Sequence, residues 1–246
     1  MAINPANKIQ DLQYFGEFGG VNPSISDAST FTFLSAKTIF DTFEGNADGC
    51  YLYARHTTPS SMYLVEALAA MEGTETANVS ASGMGSITSV LMQLCAADDH
   101  VVSSRTIYGG TYAFLKNFAP KLNINTSFVD ITDLKVVESA INSKTKVLYC
   151  ESVSNPLLEV ADIDGLAMLA KKYNLKLVVD NTFSPLSISP KELGADIVIH
   201  SLTKFINGSS DTVGGVVCGT QEMIDSLKSV NEGAAMLFGA TMDSLR

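Results

Sequence analysis

Residues 176–204 read KLVVDNTFSPLSISPKELGADIVIHSLTK, and this stretch decides the fold. It contains two continuous apolar runs, Leu177-Val178-Val179 and Ile197-Val198-Ile199. A strand covered by helices on both faces of a parallel sheet needs apolar side chains at successive positions, whereas a half-exposed strand alternates. Polar residues follow each run, among them Asp180 and Lys204. The stretch therefore predicts two buried parallel strands with polar groups beyond their carboxyl ends.

Strand and helix patterns alternate along the rest of the chain in the same way. We predict an α/β fold with a mainly parallel sheet, helices on both faces and no internal repeat. Ligands of such sheets bind beyond the carboxyl ends of the strands. The other predicted strands are 78–82, 101–103, 125–129, 147–151 and 213–218, and the predicted helices are 60–71, 83–95, 111–118, 133–141 and 163–173.

Residues 1–50 differ from this regular pattern. Only one short helix is predicted there, over Ser35–Phe43. We therefore divide the chain into an extended N-terminal arm, 1–50, and an α/β domain, 51–246. Arms of this kind dock on another surface, which in an oligomer is often the neighbouring subunit. The residues that interrupt regular structure in the arm are Gly16, Gly19, Gly20, Asn22 and Pro23.

Composition and charge exclude several classes of function. The net charge is −10, which argues against a nucleic-acid partner because phosphate binding needs a basic surface. No apolar run reaches the ~18 residues of a membrane span, and the first residues lack a signal pattern, so a cytoplasmic protein is expected. The four cysteines form no CxxC pair and the three histidines are scattered, so no metal site is predicted.

The turn Ser82-Gly83-Met84-Gly85 follows one predicted strand and begins a predicted helix. Glycine allows the backbone to approach a ligand closely, and a helix start offers free N–H groups that suit a phosphate. The simpler interpretation is a glycine at a tight turn. The spacing matches neither a nucleotide P-loop nor the dinucleotide fingerprint.

Two further strand ends carry groups with more than one interpretation. Asp180 could hold a metal, cap a helix or pair with a cationic ring nitrogen. Lys204 ends the segment His200-Ser201-Leu202-Thr203-Lys204, where a partly buried lysine becomes nucleophilic and the hydroxyls suit a phosphate. The simpler interpretation of Ser201, Thr203 and Lys204 is a polar surface segment. Together, a phosphate cradle, an acid and an imine-forming lysine along one sheet edge match what pyridoxal phosphate (PLP) requires.

The motifs resemble those of the Cys/Met-metabolism PLP enzymes, the trans-sulfuration group of fold type I. The most specific is His200-Ser201-Leu202-Thr203-Lys204-Phe205-Ile206-Asn207-Gly208. The resemblance runs from about residue 15 to the end, and the amino-acid sequence is most similar to that of methionine gamma-lyases of the plant type. The supporting motifs are Glu17–Asn22, Ser82-Gly83-Met84, Tyr108-Gly109-Gly110-Thr111, Glu151–Pro156 and Val179–Phe183.

The resemblance implies a role for each matching residue. Lys204 would hold PLP covalently and move protons, Asp180 would pair with the pyridine nitrogen, and Tyr108 would stack on the ring and act as an acid. Asn155 would bind the phenolic oxygen of the ring. Tyr53 and Arg55 would reach the phosphate of the neighbouring subunit in a homodimer or homotetramer. The other cofactor-binding residues implied are Ser82, Gly83, Met84, Glu151, Thr182, Ser201 and Thr203.

The implied activity is PLP-dependent cleavage of a carbon–sulfur bond, with L-methionine converted to methanethiol, 2-oxobutanoate and ammonia. The alternatives are an O-acetylhomoserine sulfhydrylase, or a cystathionine synthase or lyase. Many methionine gamma-lyases carry a cysteine where this chain has Gly110, which weakens the case for methionine. Thr58-Pro59-Ser60 also departs from the family's Asn-Pro-Thr.

The family's C-terminal domain, with the arginine that binds the substrate carboxylate, has no counterpart before Arg246. We therefore expect this domain to be missing, and a third alternative is an inactive fragment that binds PLP.

Overall fold

The computed structural model describes residues 4–10, 21–47 and 49–244. Its strands form one seven-stranded sheet. The strand order is β1-β7-β6-β5-β4-β2-β3. Only β7 is reversed, because it pairs antiparallel with both β1 and β6 while the other pairs are parallel. The strands are β1 Thr76–Ser80, β2 His100–Ser104, β3 Asn125–Val129, β4 Thr145–Glu151, β5 Lys176–Asp180, β6 Ile197–Ser201 and β7 Gly215–Gly219.

Helices cover both faces of this sheet, as the apolar strands predict. The helices are α1 Pro5–Gln10, α2 Ala36–Phe43, α3 Pro59–Glu72, α4 Gly83–Leu94, α5 Gly109–Ala113, α6 Leu134–Ala140, α7 Ile163–Tyr173, α8 Gln221–Lys228 and α9 Ala234–Phe238. A π-helical turn, Phe114–Phe118, and a 3₁₀ turn, Ala119–Leu122, follow α5. The mainly parallel α/β fold predicted from the sequence is confirmed.

Two hydrophobic cores lie on the two faces. The first core joins the sheet to α3 and α7 through residues such as Leu68 and Leu166. The second core joins it to α4 and α8 through residues such as Val90 and Leu227. Successive residues of a strand point to opposite faces, so each central strand supplies side chains to both cores.

Capping residues set the end points of the helices before and after β1. Thr58 caps α3 with a hydroxyl that accepts from the amide of Ser61, and Pro59 occupies the first turn. Gly73 ends α3 with φ of 73°, a left-handed conformation that glycine adopts without strain. Ser82 caps α4 by accepting from the amide of Gly85. These caps place the start of α4 directly after β1.

The N-terminal region contacts the domain at several points. Helix α1 packs on α3, and Lys8 lies 3.7 Å from Glu192. Helix α2 buries none of its residues in this chain. Its apolar residues are therefore free for another surface, and docking of the arm on a neighbouring subunit stays a prediction. The Glu17–Gly20 part of the arm motif lies outside the described residues.

The structure differs from the prediction mainly in short elements. The predicted helix 111–118 consists of the end of α5 followed by a π-helical turn. Helices α1, α8 and α9 were not predicted. In the described part of the chain, no helix is long and apolar enough to cross a bilayer.

Candidate active site

The carboxyl ends of β4, β5 and β6 bring Glu151, Asp180 and Ser201 together. Glu151 and Asp180 are register partners on neighbouring strands. Alternation along each strand points all three side chains toward the second-core face, because Tyr149, Val178 and Ile199 lie in that core. Ser201 is also joined to the β5 turn, since its amide donates to Thr182 Oγ1 at 2.7 Å. The strand ends therefore form one continuous polar edge.

Asp180 is a buried carboxyl with one strong backbone partner. It is 7% exposed, and its Oδ1 accepts from the Thr182 amide at 3.0 Å. Burial raises the pKa of Asp180 above its ordinary value, and the hydrogen bonds of Thr182 oppose that rise. No lysine or arginine of the described residues forms an ion pair with it. Asp180 is thus suited to receive a cationic group from a ligand.

Glu151 joins two loops through its two carboxylate oxygens. Oε1 accepts from the Tyr108 amide at 2.6 Å, and Oε2 accepts from the Asn155 amide at 2.8 Å. Burial raises the pKa of Glu151 to about 7, against the Tyr108 hydrogen bond that lowers it, and the nearby Asp180 raises it further. Glu151 therefore positions the Tyr108 and Asn155 loops.

Tyr108 stands at the mouth of the site with 46% of its surface exposed. Its ring lies against Gly110, where an added Cβ would be 2.6 Å from Tyr108 Cε1 and 3.0 Å from Met84 Sδ. A side chain at position 110 would therefore displace the Tyr108 ring. Gly110 thus brings Tyr108 and Met84 close together.

The glycine turn predicted for phosphate meets the end of β6. A Cβ on Gly83 would lie 2.7 Å from Ser201 Cβ, so glycine is what allows α4 to start this close to the strand. The amides of Gly83 and Met84 are among the first N–H groups of α4, which lack partners within the helix. The Ser82 hydroxyl is occupied as the cap of α4. The backbone here supplies donors beside Ser201.

Lys204 lies three residues beyond β6, in a turn where its amide donates to Ser201 O at 3.2 Å. The residue is exposed, so the expectation of a partly buried lysine at a strand end is wrong. The chain turns away from the sheet after Ser201, which carries Lys204 out of the core. Thr203, also expected at the phosphate, exchanges hydrogen bonds with the backbone of Gly214 at 3.1 and 3.3 Å.

Tyr53 and Arg55 lie beside α9. Arg55 Nη1 donates to Met236 O at 2.8 Å, and its guanidinium lies 5.7 Å from the Tyr53 ring centroid. Tyr53 is 42% exposed. No contact in the described structure joins this pair to Asp180 or Lys204, so their role at a neighbouring site stays a prediction.

Comparison with known proteins gives the chain a family. The model of the Cys/Met metabolism PLP-dependent enzymes matches residues 7–244. The chain belongs to this family. It is 45% identical to methionine gamma-lyase of Arabidopsis thaliana, covering 98% of this chain and 56% of that relative. It is 38% identical to O-succinylhomoserine sulfhydrylase of Pseudomonas aeruginosa, covering 85% of this chain and 51% of the relative.

The fold agrees with this assignment. The crystal structure of cystathionine gamma-lyase from Lactobacillus plantarum complexed with L-serine superposes with a TM-score of 0.87 at 27% identity. The match covers 99% of this chain and 61% of that one. The fold is therefore that of the fold type I PLP enzymes. The chain spans about half the length of the curated relatives it matches.

The residues of this PLP-family chain fit the family's cofactor. The pyridine nitrogen of PLP is cationic when protonated, and Asp180 is a buried carboxyl without a cationic partner among the described side chains. The phosphate is anionic, and the start of α4 beside Ser201 offers backbone donors. The site therefore offers a carboxyl group for the cationic ring nitrogen and backbone N–H donors for the anionic phosphate.

Some residues behind the site were not predicted. Ser152, Asn181 and Ser184 hydrogen-bond one another below the strand ends, and Asn181 contacts Glu72, which pairs with His200. Each is a polar residue in or beside an apolar run. That pattern was the available signal, because a buried polar group needs a partner.

Glu151 predicts a specific pH dependence of stability. Its folded pKa of about 7 lies above the ordinary 4.5, so the protonated form is favoured on folding and the contribution is lost as pH rises between these values. The free energy of unfolding of the cofactor-free protein should fall by on the order of 3 kcal/mol from this residue alone. Glu151→Gln should flatten that fall in urea titrations between pH 5 and pH 8.

The exposed Glu222 of α8 provides the matched control for this test. Glu222→Gln should leave the pH dependence unchanged. Asp180 contributes in the same direction, so Glu151→Gln should reduce the slope without removing it. An identical slope in parent and Glu151→Gln would contradict the account.

Proposed function

We propose that this chain forms the cofactor-binding part of a PLP-dependent carbon–sulfur lyase acting on a small sulfur amino acid. The first candidate substrate is L-methionine, with methanethiol, 2-oxobutanoate and ammonia as products. The observation that carries the proposal is the meeting of Asp180, Glu151 and Ser201 at one sheet edge, with Lys204 in the following turn. The 45% identity to a methionine gamma-lyase supports the choice of substrate.

Bound PLP supplies an aldehyde for attachment of amino groups and a cationic ring that withdraws electrons. Lys204 would hold the cofactor through Nζ and would move protons at the substrate carbons. Asp180 would keep the ring nitrogen protonated. Its buried position strengthens that interaction, because charges attract more strongly where water is excluded.

The remaining residues would bind and orient. Tyr108 would stack on the ring and donate a proton to the departing sulfur. The amides of Gly83 and Met84 and the hydroxyl of Ser201 would hold the phosphate, and Asn155 the phenolic oxygen of the ring. Four predicted cofactor-binding residues, Ser82, Glu151, Thr182 and Thr203, use their side chains on neighbouring backbone groups, so they would act by positioning.

The proposal includes a homodimer or homotetramer in the cytoplasm. Arg55 presents a fork of donors that suits a phosphate, and its partner Tyr53 is exposed. Tyr53 and Arg55 would complete the neighbouring site. Light scattering with and without PLP measures the assembly, and a monodisperse monomer that binds PLP fully would contradict this part.

The test is an assay of the natural gene's full product with L-methionine, L-cystathionine and L-homocysteine. Release of a thiol and a 2-oxo acid from one of them in the presence of PLP is expected. Formation of neither product from any of the three, in protein that binds PLP, would remove the lyase proposal. The same assay on the 246-residue chain decides whether it is an inactive PLP-binding fragment.

A sulfhydrylase or synthase is the second candidate, and Gly110 is the observation that favours it. Position 110 touches Tyr108 and Met84, so the missing side chain alters the surroundings of the proposed acid. A curated relative at 38% identity is an O-succinylhomoserine sulfhydrylase. Supplying O-acetylhomoserine with sulfide distinguishes the two functions. Faster homocysteine formation than thiol release from methionine would favour the second candidate.

A further inference from the structure

His200 is the last residue before Ser201 and lies four residues before Lys204, yet it points away from the candidate site. It is 0% exposed. Because Ile199 and Ser201 face the second core, alternation directs the His200 side chain to the first-core face of the sheet. A polar group at this depth requires a partner, since an unpaired one costs free energy on folding.

The partner is Glu72, the last residue of α3. His200 Nε2 lies 2.6 Å from Glu72 Oε1, and Glu72 is 2% exposed. Asn181 Nδ2 donates to the same oxygen at 3.3 Å and to Ile188 O at 2.9 Å. A helix on one face of the sheet is thereby connected to two of the strand ends.

Asn181 extends the connection to the third strand end. Its Oδ1 accepts from the hydroxyls of Ser152 and Ser184, each at 2.8 Å. The Ser152 amide donates to Asp180 O at 3.0 Å, and the Asn181 amide donates to Ile199 O at 2.8 Å. We call Glu72, Ser152, Asn181, Ser184 and His200 the support network.

The placement of this network follows one rule. Ser152 comes directly after Glu151, Asn181 directly after Asp180, and His200 directly before Ser201. These three members are therefore chain neighbours of residues on the opposite face of the sheet, and Glu72 and Ser184 join the network through side-chain hydrogen bonds. A shift of Ser152, Asn181 or His200 would therefore move the backbone that carries a site residue.

Packing alone does not account for the pair. A buried polar pair is often no more stabilising than apolar residues of similar volume, because both partners lose their water. Glu72 Oε2 and His200 Nδ1 are moreover buried without a hydrogen-bond partner among the described residues. Burial raises the pKa of Asp180, and His200 across the sheet lowers it, so the pair also affects the charge of the ligand-facing side.

We propose that Glu72 and His200 are positioning residues for the PLP site, which fix the ends of β4, β5 and β6 through the support network. The proposal rests on the proposed function, because it requires that PLP binds at these strand ends. The proposal predicts that loss of the Glu72–His200 pair weakens PLP binding more than it lowers the stability of the fold.

The first experiment compares the double variant Glu72→Met/His200→Phe with the parent. Replacing both partners with apolar side chains should leave a folded protein with a similar melting temperature. The Kd for PLP, measured by fluorescence titration, should rise at least tenfold, and the visible absorbance band of bound PLP should shift. Unchanged Kd and spectrum in the folded double variant would overturn the proposal.

The isosteric variant Glu72→Gln decides the question where the double variant does not fold. It keeps an acceptor for His200 but removes the negative charge, so a smaller rise in Kd with a retained fold is expected. A Kd within twofold of the parent would overturn the proposal.

His100 provides the matched control for these variants. It is a buried histidine at the opposite end of the sheet, where its ring nitrogens lie 2.8 Å from Thr145 Oγ1 and 2.9 Å from Ser127 Oγ. His100→Phe should alter the melting temperature without altering the Kd or the spectrum.

A measurement on the unaltered protein needs no variant. Addition of PLP should shift the side-chain ¹⁵N resonances of His200 and leave those of His100 in place. Unshifted His200 resonances with PLP bound would overturn the proposal. Failure of the unaltered protein to bind PLP would instead count against the proposed function, so the two failures are distinguishable.

Discussion

Lys204→Ala is expected to abolish the covalent attachment of PLP and to reduce turnover by at least ~10²–10⁴-fold, the range for loss of a positioned proton-transfer group. Lys204 is exposed in the turn after β6, beside Ser201 and close to the strand ends. Alanine removes the only amine that the proposed function places there, whereas the backbone hydrogen bonds of the turn remain. The fold should therefore survive the change.

The measurement is the visible absorbance of protein with PLP, followed by borohydride reduction and mass spectrometry of the peptides. The parent should carry a reduced cofactor on the peptide that contains Lys204, and the variant should carry none. Lys171, an exposed lysine of α7, supplies the matched control Lys171→Ala, which should behave as the parent. A stable adduct on another lysine of the parent would refute the assignment of Lys204.

The sheet was predictable because its strands carry a strong local signal. The predicted runs Leu177-Val178-Val179 and Ile197-Val198-Ile199 lie within the buried strands β5 and β6. Their apolar runs are covered by helices on both faces, so the local pattern and the fold agree. The reversed β7 was not predictable, since the direction of a strand depends on the chain path and not on its own residues.

The meeting of Glu151, Asp180 and Ser201 was predictable because they lie at the carboxyl ends of neighbouring strands, the edge where parallel sheets bind ligands. The support network was not predictable from the sequence. The pairing of Glu72 with His200 joins positions 128 residues apart, and no local pattern reports such a contact. The exposure of Lys204 was missed for a related reason: the turn after β6 is set by backbone bonds to Ser201 and not by side-chain polarity.

Asp180→Asn should separate cofactor attachment from turnover. Asparagine keeps the volume and an oxygen for the Thr182 amide, which donates at 3.0 Å, but removes the charge. A ring nitrogen without its counter-charge loses its proton, and breaking a buried pair costs ~3–5 kcal/mol. We expect turnover to fall by ~10²–10⁴-fold while PLP still attaches to Lys204.

Stability provides an independent readout of the same residue. Burial raises the pKa of Asp180, so in the cofactor-free protein the ionised carboxylate is disfavoured and its contribution to stability is lost as pH rises through the folded pKa. Asp180→Asn removes that loss, so the cofactor-free variant should melt higher than the parent at pH 8. The rise in melting temperature on adding PLP should be smaller in the variant, because the cation it binds has no counter-charge. Equal stabilisation by PLP, with turnover near that of the parent, would show that Asp180 does not pair with the ring nitrogen.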